Sequence, residues 1–492
     1  KSERKGVINP MNGLVLLLIG IAVLLCGYIF YGRYLCKKWG VGETNEPTPA
    51  HTMEDGIDYV PAKAPVLMGH HFSSIAGAGP ITGPISAVMF GWLPCLLWIL
   101  VGGIFFGGVH DFGALFASVR HKGKSIGEII SANMSLRAKR LFIIFSYLTL
   151  ILVVAAFASI VAGTFAAKYV DGQVDLAASA TPASVAMVSL LFIVIAIAFG
   201  FMVYRRNAPM GVSTIAGVIA ICLCMAIGMN WHPIYLSNTA WMWIVGLYIA
   251  IASVTPVWIL LQPRDYLSSF LLYAMLAIAA IGVVIAHPNM VDSTGAGLVA
   301  IGDGMNAAGI KQPIFPVLFT TIACGAISGF HSLVSSGTTS KQLDKETDAK
   351  PIAYGGMLLE CVLAVITLVA IAYARQTGHT AGATDIFAGG VAGMASQIAG
   401  GNQSLFNILY TLLVLTYSAF CLTSLDTATR LARFMFQEFW IDGTKGETPE
   451  NVTGLKKVMA NPYIATGITV VLGILLGLNG YAKIWALFGS AN

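Results

Sequence analysis

The sequence predicts an all-α membrane protein with about 12 transmembrane helices, and its composition and hydropathy pattern carry that prediction. Of the 492 residues, 57% are hydrophobic and only 10% are charged, whereas a soluble domain carries about 25% charged residues. Apolar windows of roughly 20 residues, long enough to cross a bilayer, recur along the chain. They fall near residues 12–34, 69–91, 94–119, 140–168, 183–204, 211–230, 239–262, 266–286, 313–340, 352–374, 404–436 and 460–488. This pattern excludes a soluble enzyme, and we expect the bilayer, not nucleic acid, as the partner.

Lysine and arginine predict which side of the membrane each loop faces. Counted over alternate loops, 21 of the 28 Lys and Arg fall on one side, which the positive-inside rule makes cytoplasmic. We therefore expect a multi-pass protein with both termini outside. Residues 1–35 are expected to form a peripheral helix, residues 36–68 a cytoplasmic linker, and residues 460–492 a second peripheral helix.

Two predicted helices contain helix-breaking residues. The stretch "GAGPITGP" at 77–84 is poorly suited to a continuous helix, because glycine lowers helix stability and an internal proline removes a backbone hydrogen bond. A milder interruption is expected at 252–256, before Pro256. Paired interruptions in antiparallel helices predict an inverted repeat, with one five-helix half at 69–230 and the other at 239–436.

The two interruptions supply the candidate substrate site. Freed backbone groups in a membrane survive only where protein buries them or a cavity is lined by them, and such groups can bind a substrate. The candidate substrate-binding residues are Gly77, Ala78, Gly79, Pro80, Ile81, Thr82, Gly83, Ser253, Val254 and Thr255.

A polar stripe on the predicted ninth helix (313–340) suggests a site for a coupling ion. Ser328, His331 and Ser332 recur at helical spacing on an otherwise apolar segment. For Na⁺, we expect the hydroxyls of Ser328 and Ser332 to face the carbonyls of Ala76 and Gly79. For H⁺, Asp111 and His331 are the expected groups, because both can change protonation inside the membrane. The sequence leaves both ions open, and no other cofactor is expected.

Three histidines and one aspartate are expected at similar depth on the second and third helices: His70, His71, His110 and Asp111. We interpret them as a gate or proton relay. A metal site is the alternative, because imidazoles and a carboxylate can ligate Zn²⁺.

Other charges have expected structural roles. Arg264 and Asp265 are expected to pair locally at the end of the seventh helix, where they could also belong to the gate. Asp426 and Arg430 are four residues apart and should pair on one helix face. For Glu360, within the tenth helix, proton carrier and buried partner are both open.

Several long stretches resemble the carbon-starvation protein family, CstA. They are "VPAKAPVLMGHHFSSIAGAGPITGP", "GGVHDFGALFASVRHKGKSIGEI", "TPVWILLQPRDYLSSF", "GAISGFHSLVSSGTTSKQL" and "LTSLDTATRLARF". The resemblance implies an importer of peptides or pyruvate in a prokaryotic inner membrane, active in carbon starvation. It also implies kinship to the amino acid–polyamine–organocation superfamily, whose LeuT-like fold is a 5+5 inverted repeat, here with two peripheral helices.

The expected function is secondary active import of a small-molecule or peptide substrate, driven by H⁺ or Na⁺ symport. The substrate is expected between 77–84 and 252–256. The P-loop pattern of ATP-driven proteins does not occur in the sequence. The alternatives are an intramembrane metal-dependent enzyme built on the His/Asp group, and a channel or sensor.

Overall fold

The structure is a computed structural model that describes residues 11–44, 46–291, 301, 304–305, 310–441, 447, 451–478, 487 and 489–491. Helices dominate it. In chain order the α-helices are α1 (Gly13–Cys26), α2 (Gly32–Trp39), α3 (Pro49–Thr52), α4 (Ala64–Ile75), α5 (Gly79–Ala87), α6 (Trp92–Gly102), α7 (Gly108–Arg120), α8 (Ile126–Asn133), α9 (Leu136–Phe165), α10 (Leu176–Gly200), α11 (Met210–Asn230), α12 (Asn238–Val254), α13 (Leu261–Ala286), α14 (Ile314–Thr321), α15 (Ala323–Ala326), α16 (Gly329–Gly337), α17 (Gly356–Thr377), α18 (Ala383–Ser396), α19 (Gln403–Trp440), α20 (Gly454–Met459) and α21 (Pro462–Gly477).

Shorter elements complete the described part of the chain, and the counts below are of that part. Four π-helical segments continue α-helices, at Gly27–Tyr31, Gly103–Gly107, Phe201–Arg205 and Lys350–Gly355. Four 3₁₀ segments are Val88–Phe90, Thr339–Lys341, Glu346–Asp348 and Gln397–Ala399. Two antiparallel pairs of short strands lie in connections, β1 (Tyr169–Val170) with β2 (Gln173–Val174) and β3 (Gly304–Met305) with β4 (Lys311–Gln312).

Eight helices in the described part of the chain are long and apolar enough to cross a membrane. They are Gly13–Trp39, Trp92–Arg120, Leu136–Phe165, Leu176–Arg205, Met210–Asn230, Leu261–Ala286, Glu346–Thr377 and Gln403–Trp440. Asn238–Val254 and Pro462–Gly477 are shorter apolar helices. These ten segments coincide with ten of the predicted windows. The remaining two windows, 69–91 and 313–340, are interrupted in the structure, and residues 479–486 of the last window lie outside the described residues.

The first interruption is three residues long. α4 ends at Ile75, where the backbone of Ala76 leaves the helical region (φ −74°, ψ 49°). α5 begins again at Gly79 with Pro80 in its first turn, a position where proline's missing N–H removes no helical hydrogen bond. The gap between the two helices is therefore residues 76–78, whereas most of the predicted break at 77–84 lies in the helix Gly79–Ala87.

The second interruption is not at 252–256, as the sequence predicts. α12 continues to Val254, and Pro256 lies in the connection to α13. The interrupted segment is instead residues 314–337, where Ile327 and Ser328 are extended between α15 and α16. Pro256 therefore follows the end of α12 and does not interrupt a helix. The proline marks a real change in the backbone, but the predicted interruption at 252–256 is wrong.

The two interrupted segments touch where both are broken. A Cβ added to Gly79 would lie 2.0 Å from the Cβ of Cys324, and one added to Gly83 would lie 3.2 Å from the carbonyl oxygen of Thr321. Only glycine allows this approach. Around the crossing, α9 and α19 pack along each other, α12 and α21 flank them, and the α10–α11 hairpin packs through α10 against α13.

We predict that Gly79→Ala destabilises the protein, because a Cβ there overlaps Cys324. Overpacking typically costs about 1–3 kcal/mol, so the melting temperature of the detergent-purified protein should fall by several degrees. Gly467→Ala is the matched control, since a Cβ at that helical glycine meets nothing within 4 Å. Equal melting temperatures for the two variants would contradict the close crossing.

Candidate functional site

One cavity leads from the surface toward the first interruption. It has a volume of about 520 Å³. We call the face of the protein that carries residues 36–68 the linker side, and the other face the opposite side. The cavity lies on the opposite side. Its lining includes Thr164, Lys168, Asp385, Tyr410 and Tyr417, and we call it the entry cavity. At its inner end the Tyr417 hydroxyl lies 3.4 Å from Oγ1 of Thr82 in α5. The cavity therefore ends at the second half of the interrupted helix.

Hydroxyl groups of α19 face the first interruption on the linker side of the entry cavity. The Ser424 hydroxyl donates to the carbonyl of Ser74 (2.8 Å), and Oγ of Ser74 lies 3.1 Å from Oγ1 of Thr427. A Cβ on Gly77 would lie 2.9 Å from Oγ of Ser424 and 2.8 Å from the ring of Phe157 in α9. α9 and α19 thus form the wall of the break.

The predicted cation ligands on the ninth helix are arranged differently. Cys324 packs against Gly79, and Oγ of Ser328, in the second interruption, lies 3.8 Å from Sγ of Cys324. Ser332 donates its hydroxyl to the carbonyl of Gly329 in its own helix (2.9 Å). Among the described residues, the hydroxyls that contact Ser74, two residues before Ala76, belong to Ser424 and Thr427 of α19. Sequence analysis missed them, although the signal was present in the hydroxyl-rich stretch "LTSLDTATRLARF" at 422–434.

The predicted substrate residues at the end of α12 lie apart from this break. Ser253 contacts Thr466 of α21 through their hydroxyls (3.2 Å), and Val254 is the last residue of α12. The Thr255 carbonyl accepts a hydrogen bond from Arg430 on the linker side. The structure therefore does not join Ser253, Val254 and Thr255 to residues 77–83 in one site, because Pro256 marks a helix end there.

A short turn before α4 closes the linker side. The Asp58 carboxylate pairs with Arg430 (2.9 Å) and Arg433 (3.7 Å) of α19. The backbone N–H of Val257 donates to the carbonyl of Ile57 (3.1 Å), and that of Ala62 to the carbonyl of Gln342 (3.0 Å). We call the turn with its Asp58–Arg430 contact the linker-side lock. It holds α4, α12 and α19 together.

Electrostatics keep Asp58 ionised in this lock. Burial raises the pKa of the Asp58 carboxyl, but the cations of Arg430, Lys341 and Arg433 outweigh it and hold the pKa below its ordinary value. Lys341 is itself packed 4.1 Å from the ring centre of Phe434. Burial lowers the pKa of its ammonium group, with Asp58 acting in the opposite direction.

Arg264 and Asp265 form a buried network that links four helices. The Arg264 guanidinium donates to Asp265 Oδ1 (3.0 Å) and to Asp426 Oδ2. Tyr248 donates to the same Asp426 oxygen (2.8 Å), and His70 Nδ1 lies 2.7 Å from Asp265 Oδ2. Arg264 is 1% and Asp265 0% exposed, so the expected local pair forms at the start of α13, but it is buried and has further partners on other helices. These charges are buried because each has a partner on another helix.

The same network separates Asp426 from Arg430. Asp426 pairs with Arg264, while Arg430 pairs with Asp58. The i,i+4 pair predicted from spacing is thus replaced by two partners that are distant in sequence. Arg430 also donates to the carbonyl of Ala252 (2.8 Å). A buried guanidinium with such additional hydrogen bonds stabilises the protein more than a single ion pair on a helix surface does.

Asp111 and His331 lie in contact in a second buried network. His331 Nδ1 is 3.1 Å from Asp111 Oδ2, and its Nε2 is 3.4 Å from Glu360 Oε2 on α17. The other Asp111 oxygen is 3.0 Å from Nδ1 of His110, whose side chain is 41% exposed. Asp111, His331 and Glu360 are all buried. One imidazole therefore lies between two carboxylates from different helices.

The four residues of the alternative metal site are divided between different contacts. His70 belongs to the Arg264 network, whereas His71 Nδ1 lies 2.9 Å from the Thr339 hydroxyl. His110 and Asp111 contact each other. Across the described residues, no group of three or more His, Cys, Asp or Glu side chains is arranged to hold a metal ion. The geometry fits the gate or relay interpretation better than a metal centre.

Comparison with known proteins identifies the family of this chain. The family described as "Carbon starvation protein CstA" matches residues 12–379 and 372–492. The chain belongs to the CstA family. The peptide transporter CstA of Campylobacter jejuni is 32% identical over 98% of this chain and 74% of its own length. The peptide transporter CstA of Bacillus subtilis is 31% identical over 98% of this chain and 83% of its own length.

Two further proteins are similar over large parts of this CstA-family chain. The pyruvate/proton symporter BtsT of Escherichia coli is 35% identical over 73% of this chain and 49% of its own length. A solved Na⁺-coupled sialic acid symporter, in a substrate-bound outward-open state, aligns with 97% of this chain and 82% of its own, with 11% identity and a TM-score of 0.44.

Family membership confirms two predictions made from sequence. The resemblance to the CstA family is correct, and the curated relatives are named as transporters. This CstA-family chain is a multi-pass membrane protein, and the names of its relatives support a secondary transporter.

We predict that Asp58→Asn loosens the linker-side lock of this CstA-family protein, because it removes the charge that Arg430 and Arg433 pair with. In a variant that retains only the buried Cys421 of α19, a membrane-impermeant maleimide added from the linker side should react roughly 5- to 10-fold faster, as expected for losing a charge-assisted hydrogen bond with partial solvent screening. Glu54→Gln, an exposed acidic residue of the same turn, is the control.

The pH dependence of the lock follows from the lowered pKa of Asp58. Such a carboxylate contributes stability above its ordinary pKa of about 4, and loses it only as pH falls through the lowered value. The labelling rate of Cys421 in the Asp58-containing protein, divided by the rate in Asp58→Asn at the same pH so that the pH-dependent thiolate fraction cancels, should therefore stay constant between about pH 5.5 and 8. A marked rise within that range would contradict the assignment of the lock to Asp58.

Proposed function

We propose that this chain imports a carboxylate-bearing solute by proton symport, and that a short peptide is favoured over pyruvate. The entry cavity carries this proposal. It presents a cation, Lys168, and a carboxylate, Asp385, around a volume of about 520 Å³. A zwitterionic peptide can meet both charges, whereas pyruvate is smaller and offers only an anion. The names of the peptide transporters of Campylobacter jejuni and Bacillus subtilis agree with this choice.

The helix ends at the first interruption support the substrate's position. α5 begins at Gly79 and directs its positive dipole end toward residues 76–78. A substrate carboxylate that moves inward past Tyr417 would meet the N–H groups of Ala78 and Gly79, since Pro80 has no N–H and those of Gly77, Ile81 and Thr82 already donate to backbone carbonyls. We therefore keep residues 77–82 as the proposed binding segment and add Tyr417 and the Phe157 ring as its walls.

Alternating access is the proposed mechanism. The entry cavity opens on one face, while the linker-side lock closes the other. Because Lys and Arg concentrate in the loops of the linker side, we propose that this side is cytoplasmic, in the inner membrane of a prokaryote, with both termini outside. The described conformation then corresponds to an outward-facing state, and import requires Asp58 to release α19.

We also propose a revised 5+5 inverted repeat. One half contains five segments, the interrupted α4–α5, then α6–α7, α9, α12 and α13; of the other half, the described residues supply four segments, the interrupted α14–α16, then α17, α19 and α21. Reciprocal packing supports it: α9 packs on α19 and α21, and α12 also packs on both. The α10–α11 hairpin becomes an insertion in the first half, in place of the boundaries 69–230 and 239–436.

The proposed coupling ion is H⁺, and Asp111 with His331 forms the proposed coupling group. Both are buried and in contact across two helices, and the name of the Escherichia coli relative includes proton symport. Na⁺ is the second candidate because the hydroxyls of Ser74, Ser424 and Thr427 cluster beside the first interruption. Such oxygens could bind a small cation together with backbone carbonyls.

Purified protein in proteoliposomes tests the substrate and ion together. Counterflow of a labelled dipeptide, with unlabelled peptides or pyruvate as competitors, identifies the substrate. Uphill uptake is then measured with a pH gradient alone and with a Na⁺ gradient alone. Peptide counterflow and uptake driven by pH support the proposal. Counterflow of pyruvate alone would reverse the substrate choice, and uptake that follows only Na⁺ would move the ion site to the hydroxyl cluster.

We predict that Asp111→Asn abolishes uphill uptake driven by a pH gradient but leaves counterflow within about twofold of wild type. Counterflow requires binding and alternating access without net proton movement, whereas uphill uptake requires both protons and substrate to move. The loss should exceed tenfold, because a neutral carboxamide does not supply the negative charge that favours an imidazolium at His331. If Asp111→Asn still concentrates substrate with a pH gradient alone, Asp111 is not part of that group.

A further inference from the structure

The geometry points to Glu360 as the residue that holds the transported proton, with His331 as its relay and Asp111 as the group that orients His331. This inference rests on the proposed proton symport and names its carrier. It starts from the one buried imidazole that lies between two carboxylates, at 3.1 Å from Asp111 Oδ2 and 3.4 Å from Glu360 Oε2.

The two carboxylates have different surroundings. Asp111 has a contact at each oxygen, one from His331 and one from His110. Both oxygens of Glu360 lack a hydrogen-bond partner within the described part of the chain, although the side chain is 0% exposed. A buried carboxylate without such partners is costly when ionised. The conformation therefore favours Asp111 as the anion and Glu360 as the site where a proton is held.

The titratable groups around Glu360 fit a relay. His331 and Asp111 face it from α16 and α7, and Cys361 follows it on α17. His71 of α4 packs against α17 one turn away: a Cβ on Gly356 would lie 3.3 Å from its ring. Its Nε2 is buried without a hydrogen-bond partner among the described atoms. The histidines thus lie near Glu360 from two helices that border the interruptions.

Proton movement in this group balances without any further reactant. With the proton on Glu360, neutral His331 carries its own proton on Nδ1, toward Asp111, and its Nε2 accepts from the Glu360 hydroxyl. Release transfers the Glu360 proton to Nε2 while Nδ1 keeps its proton. The imidazolium then loses one proton to water, which leaves Glu360 ionised and the group one charge more negative.

The position of His331 explains how this release follows conformation. His331 is the third residue of α16, and the extended residues Ile327 and Ser328 directly precede that helix. Interrupted backbone of this kind can act as a hinge. When α16 tilts to open the linker side, His331 moves relative to Glu360 on α17. The contact that shields the Glu360 proton is therefore lost in the conformation that faces the other side of the membrane.

Glu360→Gln tests the inference because it keeps the shape and a hydrogen-bond donor but removes the exchangeable proton. In proteoliposomes we expect uptake driven by a pH gradient to fall more than tenfold and substrate-coupled proton flux, followed with a pH-sensitive dye, to disappear. Counterflow should stay within about twofold of wild type and become independent of pH. Glu438→Gln, at a partly buried glutamate of α19 that accepts from Ser125, is the control and should keep pH-driven uptake.

Each outcome separates this inference from the proposed function. If wild type and Glu360→Gln both concentrate substrate with a pH gradient, proton symport stands and Glu360 is not the carrier. If wild type responds only to Na⁺, the proposed ion fails first, and Glu360 fails with it. Should Glu360→Gln not fold, Glu360→Asp keeps a carboxyl and should shift the pH midpoint of uptake. A midpoint identical to that of wild type would overturn the inference.

Discussion

Backbone amides and carbonyls inside a bilayer must find partners within the protein, and the two interrupted segments concentrate that constraint at one crossing. Residues 76–78 and residues 327–328 have left the helical conformation, so water-free lipid around them would leave their polar groups without partners. The close approach of Gly79 to Cys324 and the hydroxyl of Ser424 at the carbonyl of Ser74 place these segments among protein groups. Phe157 of α9 and Ser424 of α19 border Gly77 within the first interruption.

Charged side chains inside the bilayer must also find partners within the protein, and two buried networks do this in different ways. The Arg264 network contains one guanidinium and two carboxylates with short contacts between them, so it can hold helices in place without changing its charge. The Asp111 network contains an imidazole between carboxylates and leaves Glu360 without a hydrogen bond. The first network is suited to a static role and the second to a group whose charge changes. Both networks contain buried polar atoms without a hydrogen-bond partner among the described residues, but Glu360 is the carboxylate that lacks one at both oxygens.

The sequence predicted most of the helices, because a bilayer requires long apolar segments that composition alone makes visible. It also located the first interruption, where glycine and proline are dense at 77–84. It missed the second, because Ile327 and Ser328 carry no proline, whereas Pro256 gave a stronger signal at a helix end. Local residue preference cannot distinguish a helix that stops from one that is interrupted and continues.

Site residues were predictable where chemistry alone was decisive, and less so where partners are distant in sequence. Asp111 and His331 were selected as ionisable groups inside apolar helices, and the structure brings them into contact. The partner of Asp426 was predicted wrongly, since spacing favoured Arg430 but folding brings in Arg264. Such choices depend on helix packing, which a single sequence does not contain.

The tethering of the linker-side turn sets an order for its release. Asp58 is held by Arg430, and four residues later the Ala62 amide is held by Gln342, just before α4 begins. A stretch of four residues can extend by at most about 14 Å. When α4 tilts, the hydrogen bond at Ala62 is strained first because it lies nearer to the helix. The Asp58–Arg430 ion pair is strained later, because the stretch between the two residues can extend. The turn is therefore attached at two points that separate one after the other. Small thermal movements of α4 can strain the Ala62–Gln342 hydrogen bond while the Asp58–Arg430 ion pair keeps the membrane path closed.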